Sequence, residues 1–215
     1  MRILVYGAGV LGSINAARLF QAGHDVSLVA RGARLAALRA NGVMLAEGDS
    51  PVVEAVAVPI VEGPSGDYDL IVLLVRSHQV AAVLESIKGT RGDVLFLANW
   101  AAGPDPLGAV IGPERVILGF PNTGGIMDGD VVRYRRTTAL TRRFPMSIGE
   151  PDGTVTPRLD RVLAAFRSTG YAAKAEPRMD AWLKTHAAFE VRSAWPSTRR
   201  ADPKHSPRTP TRSGA

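Results

Sequence analysis

Cysteine is absent from this sequence of 215 residues, which excludes a disulfide framework, a thiolate metal site and a cysteine nucleophile. Long hydrophobic runs are absent as well. The apolar start of the chain, residues 1–5, is soon followed by Gly7, so it is far too short for a secretory signal or a membrane span. We therefore expect a soluble cytoplasmic protein with no membrane association and no metal site.

An excess of one sign of charge is confined to one end of the chain. The net charge is +6, but residues 191–215 hold six basic residues against Asp202 alone, which leaves 20 basic and 19 acidic residues before them. This segment is rich in proline, serine and threonine and has no apolar period, which predicts a disordered basic tail. The nearly neutral remainder argues against a nucleic-acid-binding domain, whereas the tail leaves RNA or another acidic partner open.

Short apolar runs alternate with segments of helical spacing through the first 120 residues. Strands are predicted at residues 2–6, 25–30, 70–75, 94–98 and 115–118, with shorter strand-like stretches around Ala46 and Val56, and helices at 10–21, 35–39 and 79–87. This alternation is typical of an α/β fold with a doubly wound parallel sheet. Strands at 131–134, 145–148 and 171–175 and helices at 157–168 and 179–190 are predicted to follow.

A glycine-rich turn lies directly between the first predicted strand and the first helix. It reads G-A-G-V-L-G, which has the spacing G-x-G-x-x-G, and its predicted cofactor-binding residues are Gly7, Ala8, Gly9, Val10, Leu11 and Gly12. Gly7 permits the tight turn, Gly9 lets the backbone approach a pyrophosphate, and Gly12 allows close packing of helix on strand. The helix N-terminus then presents free N–H groups to the phosphates. This predicts a Rossmann-type nucleotide site; a tight turn without a ligand is the alternative.

The end of the second strand determines which nicotinamide cofactor is expected. NAD enzymes usually carry a carboxylate there for the ribose 2′-hydroxyl, but residues 29–34 of this chain read V-A-R-G-A-R. Asp25 lies at the wrong end of the strand. The guanidinium of Arg31 offers bidentate donors to a 2′-phosphate, so NADP(H) is favoured over NAD. The alternative is that Arg31 is a solvated surface residue.

Five stretches, taken together, resemble the ketopantoate reductase (2-dehydropantoate 2-reductase) family. They are RILVYGAGVLGS, DVSLVAR, DLIVLLVRSHQV, LFLANW and MDAWLKTHAAF, and their order and spacing cover residues 1 to about 189. The resemblance implies a Rossmann domain followed by an all-helical domain, with the active site in the cleft between them. It also implies an oxidoreductase that uses NADPH to reduce a small 2-keto acid.

The resemblance assigns roles to individual residues. Lys184 aligns with the family's catalytic lysine, which donates a proton to the substrate carbonyl. Only four lysines occur in the chain. The alternative is that Lys184 is a helix lysine packed beside Trp182 without a catalytic role. Asn99 matches an asparagine that orients the substrate and the nicotinamide ribose. Arg76 stands where relatives have lysine near the cofactor. Gly125 is expected to let the backbone approach the nicotinamide.

The chain also departs from the family pattern. Ala188 replaces a substrate-binding asparagine, and nearby His186 either serves a variant substrate or caps a polar helix face. The resemblance ends abruptly after Phe189, which indicates a frameshift or truncation, with a genuine basic tail as the alternative. The predicted parts are a Rossmann NADP(H)-binding domain over residues 1–177, the first helix of a truncated all-helical domain over 178–190, and the tail over 191–215.

These observations leave three functional hypotheses. The first is NADPH-dependent reduction of 2-dehydropantoate or a related 2-keto acid, impaired in this chain because the helical domain is missing. The second is a non-catalytic NADP-binding remnant, and the third is nucleic-acid binding through the tail. An exposed apolar face on the helix at 179–190 would favour self-association; its candidate residues are Trp182, Leu183, Ala187 and Phe189.

Overall fold

The structure is a computed structural model that describes residues 1–135, Thr138 and residues 143–194, with side chains as far as Phe189. The twelve strands of this part are β1 (Arg2–Tyr6), β2 (Asp25–Val29), β3 (Val43–Glu47), β4 (Glu54–Val56), β5 (Ile60–Val61), β6 (Leu70–Leu73), β7 (Asp93–Leu97), β8 (Val116–Phe120), β9 (Gly125–Asp128), β10 (Val131–Tyr134), β11 (Met146–Gly149) and β12 (Ala173–Ala175). Its helices are α1 (Val10–Gln21), α2 (Gly32–Asn41), α3 (Val80–Ile87), α4 (Asp105–Ile111), α5 (Pro157–Ser168) and α6 (Met179–Ala194).

Eight strands form one sheet in the order β12-β11-β8-β7-β6-β1-β2-β5. All neighbouring strands run parallel except β11, which is antiparallel to β8. The central strands β1, β6 and β7 are buried almost throughout because helices cover both faces. Their alternate residues enter two core clusters, one with α1 and α5 and the other with α3, α4 and α6. The predicted doubly wound sheet is confirmed.

A second sheet of four strands, in the order β4-β3-β10-β9, is absent from the sequence prediction. The stretches around Ala46 and Val56 are strands as predicted, but they pair with each other and with β10 instead of joining the main sheet. Strands β3, β9 and β10 pack against α1. The local pattern of apolar residues could not predict this arrangement, because β3 pairs with a strand almost 90 residues later in the sequence.

Helix α6 packs on the main sheet, which corrects one expectation. Leu183 was expected on an exposed apolar face, but Met179 and Leu183 are fully buried in the same cluster as the residues of β7 and β8. Trp182 is half-buried and Phe189 is 66% exposed. The helix also continues to Ala194, four residues beyond its predicted end, and the rest of the predicted tail lies outside the described residues. Within the described part, no helix is long and apolar enough to cross a membrane.

Candidate functional site

A cleft of about 920 Å³ lies at the carboxyl edge of the main sheet. The ends of β1, β2, β6, β7 and β8 and the loops that follow them form its walls. Three arginines line it, namely Arg31, Arg34 and Arg76, and none of the described residues that line it is aspartate or glutamate. The cleft is therefore suited to an anionic ligand.

The three glycines of the turn after β1 have separate physical roles. Gly7 has φ +115°, and a Cβ there would lie 2.5 Å from the carbonyl oxygen of Leu74. A Cβ at Gly12 would lie 1.6 Å from the carbonyl oxygen of Gly7, so the first turn of α1 contacts the loop directly. At Gly9 no atom lies within 4 Å of the Cβ position, and the residue lines the cleft. The absence of a side chain at Gly9 thus leaves space in which the protein backbone could contact a ligand directly.

The N-terminus of α1 opens into this cleft. Gly9 is the N-cap residue, no side chain of the described residues caps the helix, and its first turn contains no acidic residue. Val10 and Leu11, whose N–H groups begin the helix, line the cleft. A phosphate group would satisfy these N–H groups and the helix dipole.

Arg31 lies at the tip of β2, where the sequence places a cofactor contact. Its side chain is exposed, it lines the cleft, and its Nη2 donates a hydrogen bond of 2.8 Å to the hydroxyl of Tyr6. Among the described residues, no acidic side chain lies within 4 Å of its guanidinium. Most of its N–H donors are therefore available to a ligand.

Arg34 is a cleft residue that the sequence reasoning did not select. Its Nε donates to the carbonyl oxygen of Ala8 at 3.3 Å, and its Nη2 donates to Ser13 Oγ at 3.3 Å. Its Nη1 donates to the carbonyl oxygen of Asp130 at 3.1 Å in the turn between β9 and β10. Burial lowers the pKa of Arg34, and the nearby Asp130 carboxylate offsets this only in part. Arg34 thus ties the glycine-rich turn to the second sheet, a contact no local pattern could predict.

The other predicted cofactor residues are divided between the cleft and its surroundings. Arg76 and Asn99, which follow β6 and β7, both line the cleft. Gly125 does not: it lies in β9 of the second sheet, where a Cβ would be 2.1 Å from the carbonyl oxygen of Arg133 in β10. Close strand packing therefore explains glycine at this position.

Helix α6 carries Lys184 beside the cleft. Lys184 Nζ lies 2.6 Å from Asp180 Oδ2, and the lysine side chain is 52% exposed. A Cβ at Gly103 would lie 3.9 Å from this Nζ, which places the ammonium against the loop that also carries Asn99. Lys184 itself is outside the lining that the described residues give the cleft.

An aromatic stack joins α6 to the cleft wall. The His186 ring lies parallel to Trp182 at 5.0 Å, and both rings contact Phe120, whose centroid is 4.2 Å from His186. Phe120, at the end of β8, lines the cleft, but the sequence reasoning did not select it. Ala188, which replaces the family asparagine, is exposed. His186 packs against aromatic rings, which differs from the polar helix face considered for it.

The parallel sheet, the glycine-rich turn and the cleft at its carboxyl edge define a Rossmann-type domain, a class of fold that binds nucleotide cofactors. The chain belongs to the ketopantoate reductase family, whose model, described as Ketopantoate reductase PanE/ApbA, matches residues 3–147. A 2-dehydropantoate 2-reductase of Mesorhizobium japonicum is 31% identical over 211 residues, covering 86% of this chain. The chain spans 63% of the length of that relative.

Solved structures show the same fold. A PanE/ApbA family ketopantoate reductase from Ralstonia eutropha superposes with a TM-score of 0.72 at 23% identity, covering 85% of this chain and 59% of that one. A D-mandelate dehydrogenase in a ternary structure with NADH and anilino(oxo)acetate gives a TM-score of 0.69 at 18% identity, again covering 85% and 59%. At these identities the likeness concerns the fold.

Proposed function

We propose that the cleft binds NADP(H) and that the chain carries the cofactor half of a 2-keto-acid reductase. The observation that carries the proposal is the pairing of an uncapped α1 N-terminus with Arg31 at the tip of β2. The helix N-terminus suits a pyrophosphate, and the arginine, standing where NAD enzymes have a carboxylate, suits a 2′-phosphate.

The residues of the cleft divide the binding between them. In this proposal the N–H groups of Ala8, Val10 and Leu11 would bind the pyrophosphate, and the missing side chain of Gly9 would let the backbone approach it. Arg31 presents guanidinium donors to the 2′-phosphate in the bidentate geometry that a planar fork allows. Arg76, which follows β6, adds positive charge to the cleft. The bound cofactor would supply hydride to the carbonyl carbon of the 2-keto acid.

On the substrate side, Lys184 is the proposed proton donor. An ammonium polarises the substrate carbonyl and stabilises the alkoxide that develops on its oxygen. Asp180 holds the lysine Nζ at 2.6 Å, beside the loop that carries Asn99. Asn99, which lines the cleft, is the proposed amide that orients substrate and ribose.

Titration of residues 1–215 with NADPH and NADH, followed by nicotinamide fluorescence, tests the cofactor proposal. We expect NADPH to bind at least about tenfold more tightly, a difference of about 1.4 kcal/mol. Arg31→Ala should remove the preference, whereas Arg39→Ala should keep it, because Arg39 pairs with Glu62 outside the cleft. Equal affinities in the unsubstituted protein would overturn the 2′-phosphate assignment.

One observation favours a second candidate, a nucleotide-binding protein without turnover. Lys184 is 52% exposed and lies outside the cleft lining, so its ammonium is in contact with water. A proton donor in a high dielectric stabilises an alkoxide far less than one in a dry site. In this second proposal, residues 1–215 retain cofactor binding but reduce 2-keto acids poorly or not at all.

A further inference from the structure

Tyr6 is the last residue of β1 and forms part of the cleft wall. The residue is 5% exposed, and its side chain lines the cleft beside the tip of β2. Its hydroxyl lies 2.8 Å from Nη2 of Arg31 and 3.1 Å from Oγ of Ser86, which is in α3. A nearly buried phenol therefore joins an exposed arginine to a helix on the main sheet.

The directions of these hydrogen bonds follow from the available protons. Ser86 Oγ has one hydrogen and lies 2.7 Å from the carbonyl oxygen of Val83, which can only accept. The proton between Tyr6 and Ser86 must then come from Tyr6. Arg31 has donors only, so the phenol oxygen accepts from it. The result is a series of hydrogen bonds in which Arg31 donates to Tyr6, Tyr6 donates to Ser86, and Ser86 donates to the backbone carbonyl of Val83.

This series of hydrogen bonds fixes the position of Arg31 without neutralising the charge of its guanidinium. A tyrosine hydroxyl anchors the guanidinium yet leaves its full charge, whereas a carboxylate partner would compete with an anionic ligand. Long arginine side chains lose rotamer freedom when they bind, and a side chain already held in place loses less. The Arg31 Cζ lies 6.0 Å from the centroid of the Tyr6 ring, so the hydroxyl bond is the closer tether.

We propose that Tyr6 is a positioning residue that, together with Ser86, holds Arg31 at the tip of β2 and thereby sets the preference for a 2′-phosphorylated cofactor. The inference rests on the proposed NADP(H) function. It predicts that Tyr6 raises the binding affinity only for a cofactor that carries the 2′-phosphate, and that this effect depends on Arg31.

The test is a double-mutant cycle of Tyr6→Phe and Arg31→Ala, with affinities for NADPH and NADH measured by fluorescence titration. Tyr6→Phe removes the hydroxyl and keeps the ring, so we expect NADPH affinity to fall about fivefold, the size of the net contribution of one ordinary hydrogen bond, and NADH affinity to stay unchanged. In the Arg31→Ala background, Tyr6→Phe should have no further effect.

Tyr68→Phe is the matched control. Tyr68 is also 5% exposed, its hydroxyl bonds to Ser65, and Arg2 lies 5.1 Å from its ring centroid, but it precedes β6 at the opposite edge of the sheet. Its substitution should leave both affinities unchanged. Ser86→Ala, which removes the acceptor for Tyr6, should reproduce the selective loss and serves if Tyr6→Phe does not fold.

The possible outcomes distinguish failure of the role of Tyr6 from failure of the proposed NADP(H) function. If NADPH does not bind the unsubstituted protein, the proposed function fails. If NADPH binds and Tyr6→Phe either changes nothing or weakens NADPH and NADH equally, the function stands and the role of Tyr6 is refuted. A loss that persists in the Arg31→Ala background would show direct contact between Tyr6 and the cofactor, which also contradicts positioning through Arg31.

Discussion

At the scale of single residues, the glycines of the turn after β1 show how identical side chains serve different requirements. Gly9 has φ −76° and ψ −168°, an extended backbone that any residue adopts, and the space beyond its Cα is open. Gly12 has an ordinary helical position but no room, since its Cβ would be 1.6 Å from the carbonyl oxygen of Gly7. Packing explains Gly12, whereas nothing in the packing of the described residues requires glycine at position 9, and the proposed cofactor binding would.

Gly9→Val should therefore abolish NADPH binding while the domain stays folded, because the valine side chain would occupy space needed by the pyrophosphate. Fluorescence titration and thermal unfolding followed by circular dichroism measure the two effects. Gly12→Val is the contrast: it should lower the unfolding temperature markedly. Unchanged NADPH affinity in a folded Gly9→Val variant would mean that the phosphates bind elsewhere.

The residue types of the candidate cleft could be predicted from sequence only where a local motif contains them. The glycines and Arg31 belong to a strand–turn–helix pattern whose physical requirements are known. Tyr6 and Arg34 could not be assigned, because their partners Ser86 and Asp130 are 80 and 96 residues away in the sequence. Gly125 was assigned to the nicotinamide, but the strand beside it is what excludes a side chain.

At the scale of elements, α1 and α5 have the bounds that their apolar periodicity predicts. The second sheet was not predictable, because β3 is recognisable as a strand but its partner β10 is set by tertiary contacts. The antiparallel direction of β11 was missed for the same reason. Local spacing indicates that a strand exists, and distant pairing decides which sheet it joins.

Leu183→Ala in α6 should lower the free energy of unfolding by about 2–5 kcal/mol, because it removes a fully buried side chain from the core. Phe189→Ala in the same helix should change stability by less than about 0.5 kcal/mol, because Phe189 is 66% exposed. Chemical denaturation measures both. A small effect at Leu183 would show that α6 does not pack on the sheet.

We propose that the exposed part of α6 supports self-association of residues 1–215. Phe189 lies on α6 and is 66% exposed, although Trp182 of the same helix packs against Phe120, so its ring leaves apolar surface open to a second copy. Sedimentation analysis should detect dimers in the unsubstituted protein and fewer in Phe189→Ala. Monomers at all concentrations would contradict the proposal.

Helix α5 is attached to the sheet by a buried ion pair that makes another prediction. Glu150 is 2% exposed and accepts from Arg158 Nε at 2.8 Å, while Arg158 also lies 3.2 Å from Asp93. These bonds raise the pKa of Arg158. Arg158→Met leaves a buried carboxylate unpaired and should cost about 3–5 kcal/mol in denaturant titrations. Arg161→Met, at an exposed position of the same helix, is the control and should cost little.

At the scale of the whole molecule, the chain spans 63% of the length of its Mesorhizobium japonicum relative and has the cleft proposed for the cofactor at the carboxyl edge of its main sheet. Lys184, the proposed proton donor, lies on α6 beside that cleft, and its side chain is 52% exposed. Much of the rate of hydride transfer comes from holding both reactants at near-attack distance. The described geometry therefore supports binding more strongly than turnover.

We expect residues 1–215 to bind NADPH while oxidation of NADPH by 2-dehydropantoate, followed at the nicotinamide absorbance, stays below detection. In a fusion of residues 1–215 to the helical domain of a family member, turnover should become measurable, because Lys184 would lie in a drier site. Lys184→Ala in the fusion should remove it again. Rapid turnover by residues 1–215 alone would contradict this expectation.

The most direct measurement is a crystal structure of residues 1–215 grown with NADPH. We expect the pyrophosphate to lie on the N–H groups of Val10 and Leu11 at the start of α1, and the 2′-phosphate to contact Arg31 while Arg31 keeps its hydrogen bond to Tyr6. NADPH bound outside this cleft, or bound with its 2′-phosphate directed away from Arg31, would contradict the proposed cofactor site.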